Sequence, residues 1–140
     1  MKIVVTSHGE FCTGLVSSYK MVAGETDEIF AISLNDSGIG EYSKKLTEKL
    51  EELLKEDKVL VLCDIKGGTP YNESFKFFLD HTEDIRVVSG MNLPMLIEIG
   101  LILQSIDDLN ILADMAVNAG KNAIEQIVLD DDQEEDEWDL

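Results

Sequence analysis

The chain is predicted to fold as an α/β protein: a three-layer sandwich around a central, mainly parallel sheet of four strands. Three observations predict it. Short apolar runs (Ile3-Val4-Val5, Ile29 to Ile32, Val59 to Cys63 and Ile85 to Val88) each give way to a stretch with helical periodicity. The runs are continuous in their apolar character, as in strands covered on both faces. The intervening segments are long enough for right-handed helical crossovers. No internal repeat and no second domain are evident, and 140 residues suffice for one domain with a real core.

In order, the first strand, Ile3-Val4-Val5, ends at Thr6-Ser7-His8-Gly9. From Phe11 to Val22, the residues Phe11, Leu15, Val16, Tyr19 and Val22 recur at helical spacing, and Ala23-Gly24 supplies a stop. Ile29 to Ile32 is the second strand, and Asn35 to Gly40 is loop chemistry. Leu46, Leu50, Leu53 and Leu54 mark a second amphipathic helix with charged residues opposite. The third strand, Val59 to Cys63, runs into Asp64, the pair Gly67-Gly68 and then Thr69-Pro70, which reads as a cap and a first helical residue. Phe75, Phe78 and Leu79 carry the third helix, which ends near Asp80-His81-Thr82. The fourth strand leads through Ser89 to Pro94 into an apolar helix from Met95 to Leu103. Asp107-Asp108-Leu109 caps a last helix containing Leu112, Met115, Ala116, Ala119 and Ala123. Ile127-Val128-Leu129 either continues that helix or forms a short extra strand. Residues 130–140 hold eight acids and no base, the composition of a disordered tail.

The formal net charge is -18, and the folded body keeps ten of those negative charges once the tail is set aside. A nucleic-acid partner is disfavoured by repulsion, whereas a basic protein would be attracted. Hydrophobic residues make up 44% of the chain, and no apolar stretch reaches the roughly 18 residues of a membrane span. Two cysteines, Cys12 and Cys63, form no disulfide framework, and the N-terminus lacks a signal-peptide layout, so the expected location is the cytoplasm.

In parallel sheets of this type, ligands bind at the carboxyl ends of the strands, where strand order reverses. Three turns fall there: Ser7-His8-Gly9, Asp64 through Pro70, and Ser89 through Pro94. His8 and Asp64 are therefore expected to share one end of the sheet. Neutral imidazole is a nucleophile, and a carboxylate on one ring N–H fixes the tautomer and offsets the charge of an adduct. Gly67, Gly68 and the helix start at Thr69 are expected to cradle a phosphoryl group. The bland reading of His8 is an incidental loop histidine; its pairing with Asp64 tips the balance. His81, at a helix end, reads as solvated or weakly capping. Cys12 reads as packing rather than half of a Cys–His pair, and Cys63 as core. No Walker lysine pattern and no metal-ligating cluster is present in the sequence, so no cofactor is expected.

Three blocks, Ser7-His8-Gly9 after the first strand, Asp64-Ile65-Lys66-Gly67-Gly68-Thr69-Pro70-Tyr71-Asn72, and Val88-Ser89-Gly90-Met91-Asn92-Leu93-Pro94-Met95-Leu96-Ile97-Glu98, resemble the enzyme IIA domain of the mannose family of the bacterial phosphotransferase system. The resemblance covers residues 1–129 and leaves 130–140 as the acidic tail. It implies that His8 is the phosphorylated histidine, that Asp64 hydrogen-bonds it, and that Thr69 stands near the phosphoryl group. It implies a phosphotransferase that accepts phosphate from HPr and passes it to a IIB subunit. Membrane IIC and IID subunits are engaged only indirectly. Homodimers are implied too, some of which exchange a fifth, antiparallel strand, with Ile127-Val128-Leu129 as the candidate. Lys66 departs from members that carry an aromatic residue at that position, and the tail is unlike a IIA–IIB linker, which favours a free-standing subunit. Two alternatives remain: a phosphoryl donor to a dihydroxyacetone kinase, and a non-catalytic module binding an anion or nucleotide.

Overall fold

Strand side chains alternate between the two faces of a sheet, so a strand that is apolar throughout must have helices on both sides. The computed structural model, which describes residues 1–129, has this arrangement; the acidic tail at 130–140 lies outside the described residues. The elements are β1 (Lys2–His8), α1 (Phe11–Ala23), β2 (Ile29–Leu34), α2 (Ile39–Leu54), β3 (Val59–Cys63), α3 (Thr69–Asp80), β4 (Ile85–Ser89), α4 (Leu93–Ile102), a 3-10 turn (Leu103–Ser105) and α5 (Leu109–Asn122). All strand pairings are parallel, in the order β2-β1-β3-β4.

Two cores result. Ile3, Val5, Leu60 and Leu62 face α1, α4 and α5, where Leu15, Tyr19, Leu96, Ile99 and Leu112 close over them. Val4, Val59, Val61 and Ile85 point the other way, onto Tyr42, Leu46 and Leu50 of α2, with Phe77 and Phe78 of α3 packed alongside. Burial lifts the Tyr42 phenol above its ordinary pKa, so it stays protonated. The Thr6 hydroxyl donates to the Ile32 carbonyl at 2.7 Å and receives the Tyr42 O–H at 2.6 Å. A polar pair is thereby satisfied inside an apolar layer.

Several boundaries differ from the sequence reading. β1 extends through Thr6, Ser7 and His8, because their backbone continues in register with Ile32, Ser33 and Leu34 of β2. The buried positions of α3 are Pro70 and Ser74, with Phe77 and Phe78 packed against the core, while Phe75 and Leu79 are 43% and 57% exposed. Ser74 tolerates burial because its hydroxyl donates to the Pro70 carbonyl one turn back, at 2.7 Å. The last helix ends at Asn122 and is not continued by Ile127-Val128-Leu129, which lie outside any helix or strand and are exposed. Asp108 caps α5 as expected, its carboxylate accepting from the N–H groups of Asn110 and Ile111.

Candidate active site

In the order β2-β1-β3-β4, the chain leaves β1 in one direction for β2 and returns to the other side for β3. The loops leaving β1 and β3 therefore diverge, and a crevice opens between them. His8 is the last residue of β1, and Asp64 directly follows β3. The His8 Nδ1 lies 2.8 Å from the Asp64 Oδ2, and the His8 backbone N–H donates to the same oxygen at 2.9 Å. The Ile65 N–H donates to Oδ1, also at 2.9 Å. Three donors thus hold one carboxylate, with the Asp64 side chain 12% exposed and that of His8 48% exposed.

Partial burial by itself would raise the Asp64 carboxyl. The His8 backbone N–H, the His8 ring, the Ile65 N–H and the nearby imidazole charge outweigh it and hold the group below its ordinary carboxylate value. An ionised carboxylate only accepts hydrogen bonds, so the proton between the two groups sits on Nδ1. In the neutral ring the Nε2 lone pair is then free to attack.

Ser7 prepares this geometry from within. It is fully buried, and its hydroxyl donates to the Gly9 carbonyl at 3.2 Å and accepts the Cys12 N–H at 2.8 Å. The hydroxyl thereby bridges the His8-Gly9 turn and the first turn of α1, a role that the sequence reading did not assign. The signal was available: a serine just before a turn into a helix commonly serves such local bonds.

The turn expected to form a cradle starts its helix one residue earlier than expected. Gly68, not Thr69, is the N-cap of α3; Thr69 and Pro70 are the first and second helical residues, and no side chain caps this end. Proline costs nothing at that position, because its missing N–H would have had no helical partner. The N–H groups of Thr69 and Tyr71 consequently have no partner within the helix. Gly67 makes the turn with φ +86°, and its carbonyl accepts from the Asn72 side chain at 3.1 Å. A Cβ built on Gly68 would stand 2.7 Å from the His8 Cε1 and 3.4 Å from Nε2, so the start of α3 lies against the imidazole. His8 bonds Asp64 on one side and lies against Gly68 on the other, flanked by the Gly67 turn and the half-buried Thr69. The turn after β4 supports the site from behind: the N–H groups of Gly90 and Met91 donate to the carbonyls of Asp64 and Cys63.

The remaining candidates play structural parts. Cys12 is fully buried, and burial pushes the Cys63 thiol up to about 12, which leaves that sulfur an inert core group. His81 lies at the far end of α3, bonded to the Phe77 carbonyl at 3.0 Å. Among the described residues no cluster of three or more His, Cys, Asp or Glu could hold a metal ion, and no helix is long and apolar enough to cross a membrane.

A family model described as the PTS system fructose IIA component matches residues 2–107. The fructose-specific EIIA component of Bacillus subtilis is 32% identical over 100 residues, which is 71% of this chain and 68% of that protein. The mannose-specific EIIAB component of Escherichia coli K12 is 30% identical over 129 residues, covering 89% of this chain and 39% of that longer protein. Among solved structures, the mannose/sorbose-specific IIA subunit from Enterococcus faecalis superposes with a TM-score of 0.82 at 30% identity, covering 93% of this chain and 96% of that one.

Proposed function

The chain belongs to the family of PTS system fructose IIA components, and on that premise we propose that it relays phosphoryl groups in a sugar phosphotransferase system through His8. The observation that carries this reading is the His8 Nδ1 contact with Asp64, which leaves Nε2 as the nucleophile at the topological switch point.

In the proposed reaction, the Nε2 lone pair attacks the phosphorus of phosphohistidine on HPr. The new N–P bond forms as the old one breaks, and the HPr imidazole departs with its electron pair. Asp64 stays ionised and offsets the positive charge that develops on the His8 ring. The open N–H groups of Thr69 and Tyr71, at the N-terminus of α3, favour the phosphoryl oxygens, and the Thr69 hydroxyl adds a donor. Donor and product are both phosphohistidines, so catalysis consists of positioning and charge stabilisation rather than driving force. A IIB subunit then takes the group for sugar phosphorylation at the membrane IIC and IID subunits, while this chain works in the cytoplasm. Among the described residues the outer edge of β4 carries no neighbouring strand, and this edge together with the exposed Ile124, Ile127, Val128 and Leu129 supports a homodimer in which that segment pairs with a second copy.

Intact-mass spectrometry after incubation with phosphoenolpyruvate, enzyme I and HPr tests the proposal. One acid-labile phosphate is expected on the wild type and none on His8→Ala. Folded wild type that takes no phosphate from active HPr would overturn it.

A further inference from the structure

The two adjacent glycines of the turn after β3 differ in what requires them. Gly67 has φ +86°, where an L side chain is strained, and a Cβ there would meet nothing within 4 Å. Its glycine is a backbone requirement. Gly68 has φ -79° and ψ 170°, an extended conformation open to every residue. As the N-cap of α3 it occupies the position where Ser, Thr, Asp or Asn would stabilise the helix. Neither backbone strain nor capping calls for glycine. The neighbouring side chains do: a Cβ would stand 2.7 Å from the His8 Cε1, 3.4 Å from its Nε2 and 3.2 Å from the Ile65 Cγ1.

We infer that Gly68 is a positioning residue for phosphoryl transfer, forming the bare backbone seat that holds the His8 ring on Asp64. The inference rests on the phosphocarrier reading for its kinetic consequence, but the seating itself does not. Any side chain at 68 must displace something. The Ile65 contact is mild, whereas the imidazole is the partly exposed end of a side chain and is free to swing toward solvent. The ring therefore yields before the backbone does, and it leaves the 2.8 Å bond from Nδ1 to Asp64 as it goes. The fold survives, and the Nδ1–H tautomer loses its support. Glycine has a second benefit at this position, since a capping side chain would occupy the helix N–H groups that face an incoming anion.

Gly68→Ala and Gly68→Ser separate these effects. Both variants are expected to fold, and Gly68→Ser is expected to melt no lower than Gly68→Ala because it supplies a cap. Long-range proton–nitrogen NMR of the imidazoles reads the seat directly, without any transfer reaction. The wild type should show the neutral His8 ring as the Nδ1–H tautomer, and both variants should shift toward Nε2–H. His81 should be unchanged. Phosphate acceptance from phospho-HPr should fall about 100-fold in both, the scale of an ångström-sized misplacement. Wild-type His8 ring signals in the folded variants would overturn the inference even if transfer were lost, and so would unaltered transfer rates. Wild-type protein that accepts no phosphate would instead overturn the phosphocarrier reading and leave the NMR result to stand or fall alone.

Discussion

Helix α3 has a histidine at each end, and the two make similar bonds to different effect. At its N-terminus, His8 gives its Nδ1 proton to the Asp64 carboxylate; at its C-terminus, His81 gives its Nδ1 proton to the Phe77 carbonyl. A carbonyl only accepts, so both neutral rings carry their lone pair on Nε2. On the proposed reading, tautomer alone thus does not make a phosphoryl acceptor. A carboxylate can balance a developing imidazolium, and a neutral carbonyl offers far less. The N-terminus of a helix presents N–H groups to an anion, and the C-terminus presents carbonyl oxygens that repel one. His81 is also stacked on the Phe77 ring, with centroids 4.4 Å apart, as a packed end-piece.

The contrast is sharpest in activity. His8→Ala should abolish phosphate acceptance, while His81→Ala should accept at the wild-type rate; dependence of labelling on His81 would break the comparison. Next in size, Asp64→Asn keeps the shape of the site but removes the charge that the carbonyl at the other end lacks. Transfer is expected to slow about 100-fold in single-turnover assays with phospho-HPr, and unchanged kinetics would remove Asp64 from the mechanism.

The same carboxylate gives a pH signature. Its folded value lies below the ordinary 3.8, so the folded state binds fewer protons than the unfolded state as pH falls. The stability it contributes is complete above that value and is lost as pH drops through the folded one. The gap in Tm between wild type and Asp64→Asn should therefore narrow below pH 3.8, and a gap that widens there would contradict the assignment.

Smaller effects test how each end is supported. Ser7→Ala leaves the buried Cys12 N–H without its acceptor and should cost about 1–3 kcal/mol in urea unfolding. Truncating His81 removes one partly exposed hydrogen bond and a stacked ring, with an expected loss of ~1 kcal/mol. A larger loss for His81→Ala than for Ser7→Ala would invert the ranking of the two ends.

Much of this was legible in advance. The carboxyl ends of parallel strands must lie on one side of the sheet, so His8 and Asp64 could be paired without knowing a single distance. The exposed face of α3 was not legible. Phe75, Phe78 and Leu79 have helical spacing, but spacing does not say which side meets the sheet, and Ser74 hides its polarity in a bond to its own helix. The cap was misassigned to Thr69 for a related reason: Thr-Pro looks like a helix start, and the register differs by one residue.

The sequence by itself determined the layer order, the parallel sheet and the pairing of an imidazole with a carboxylate, because these follow from local periodicity, strand polarity and the alternation of elements. Only the tertiary structure decided which glycine has no room for a Cβ, which nitrogen of His8 faces Asp64 and how Ser7 braces the turn. Those depend on distances between atoms far apart in the chain, such as the 2.7 Å between a missing Cβ at 68 and the ring of residue 8. A pattern of residue types carries no such lengths, and only the packed backbone sets them.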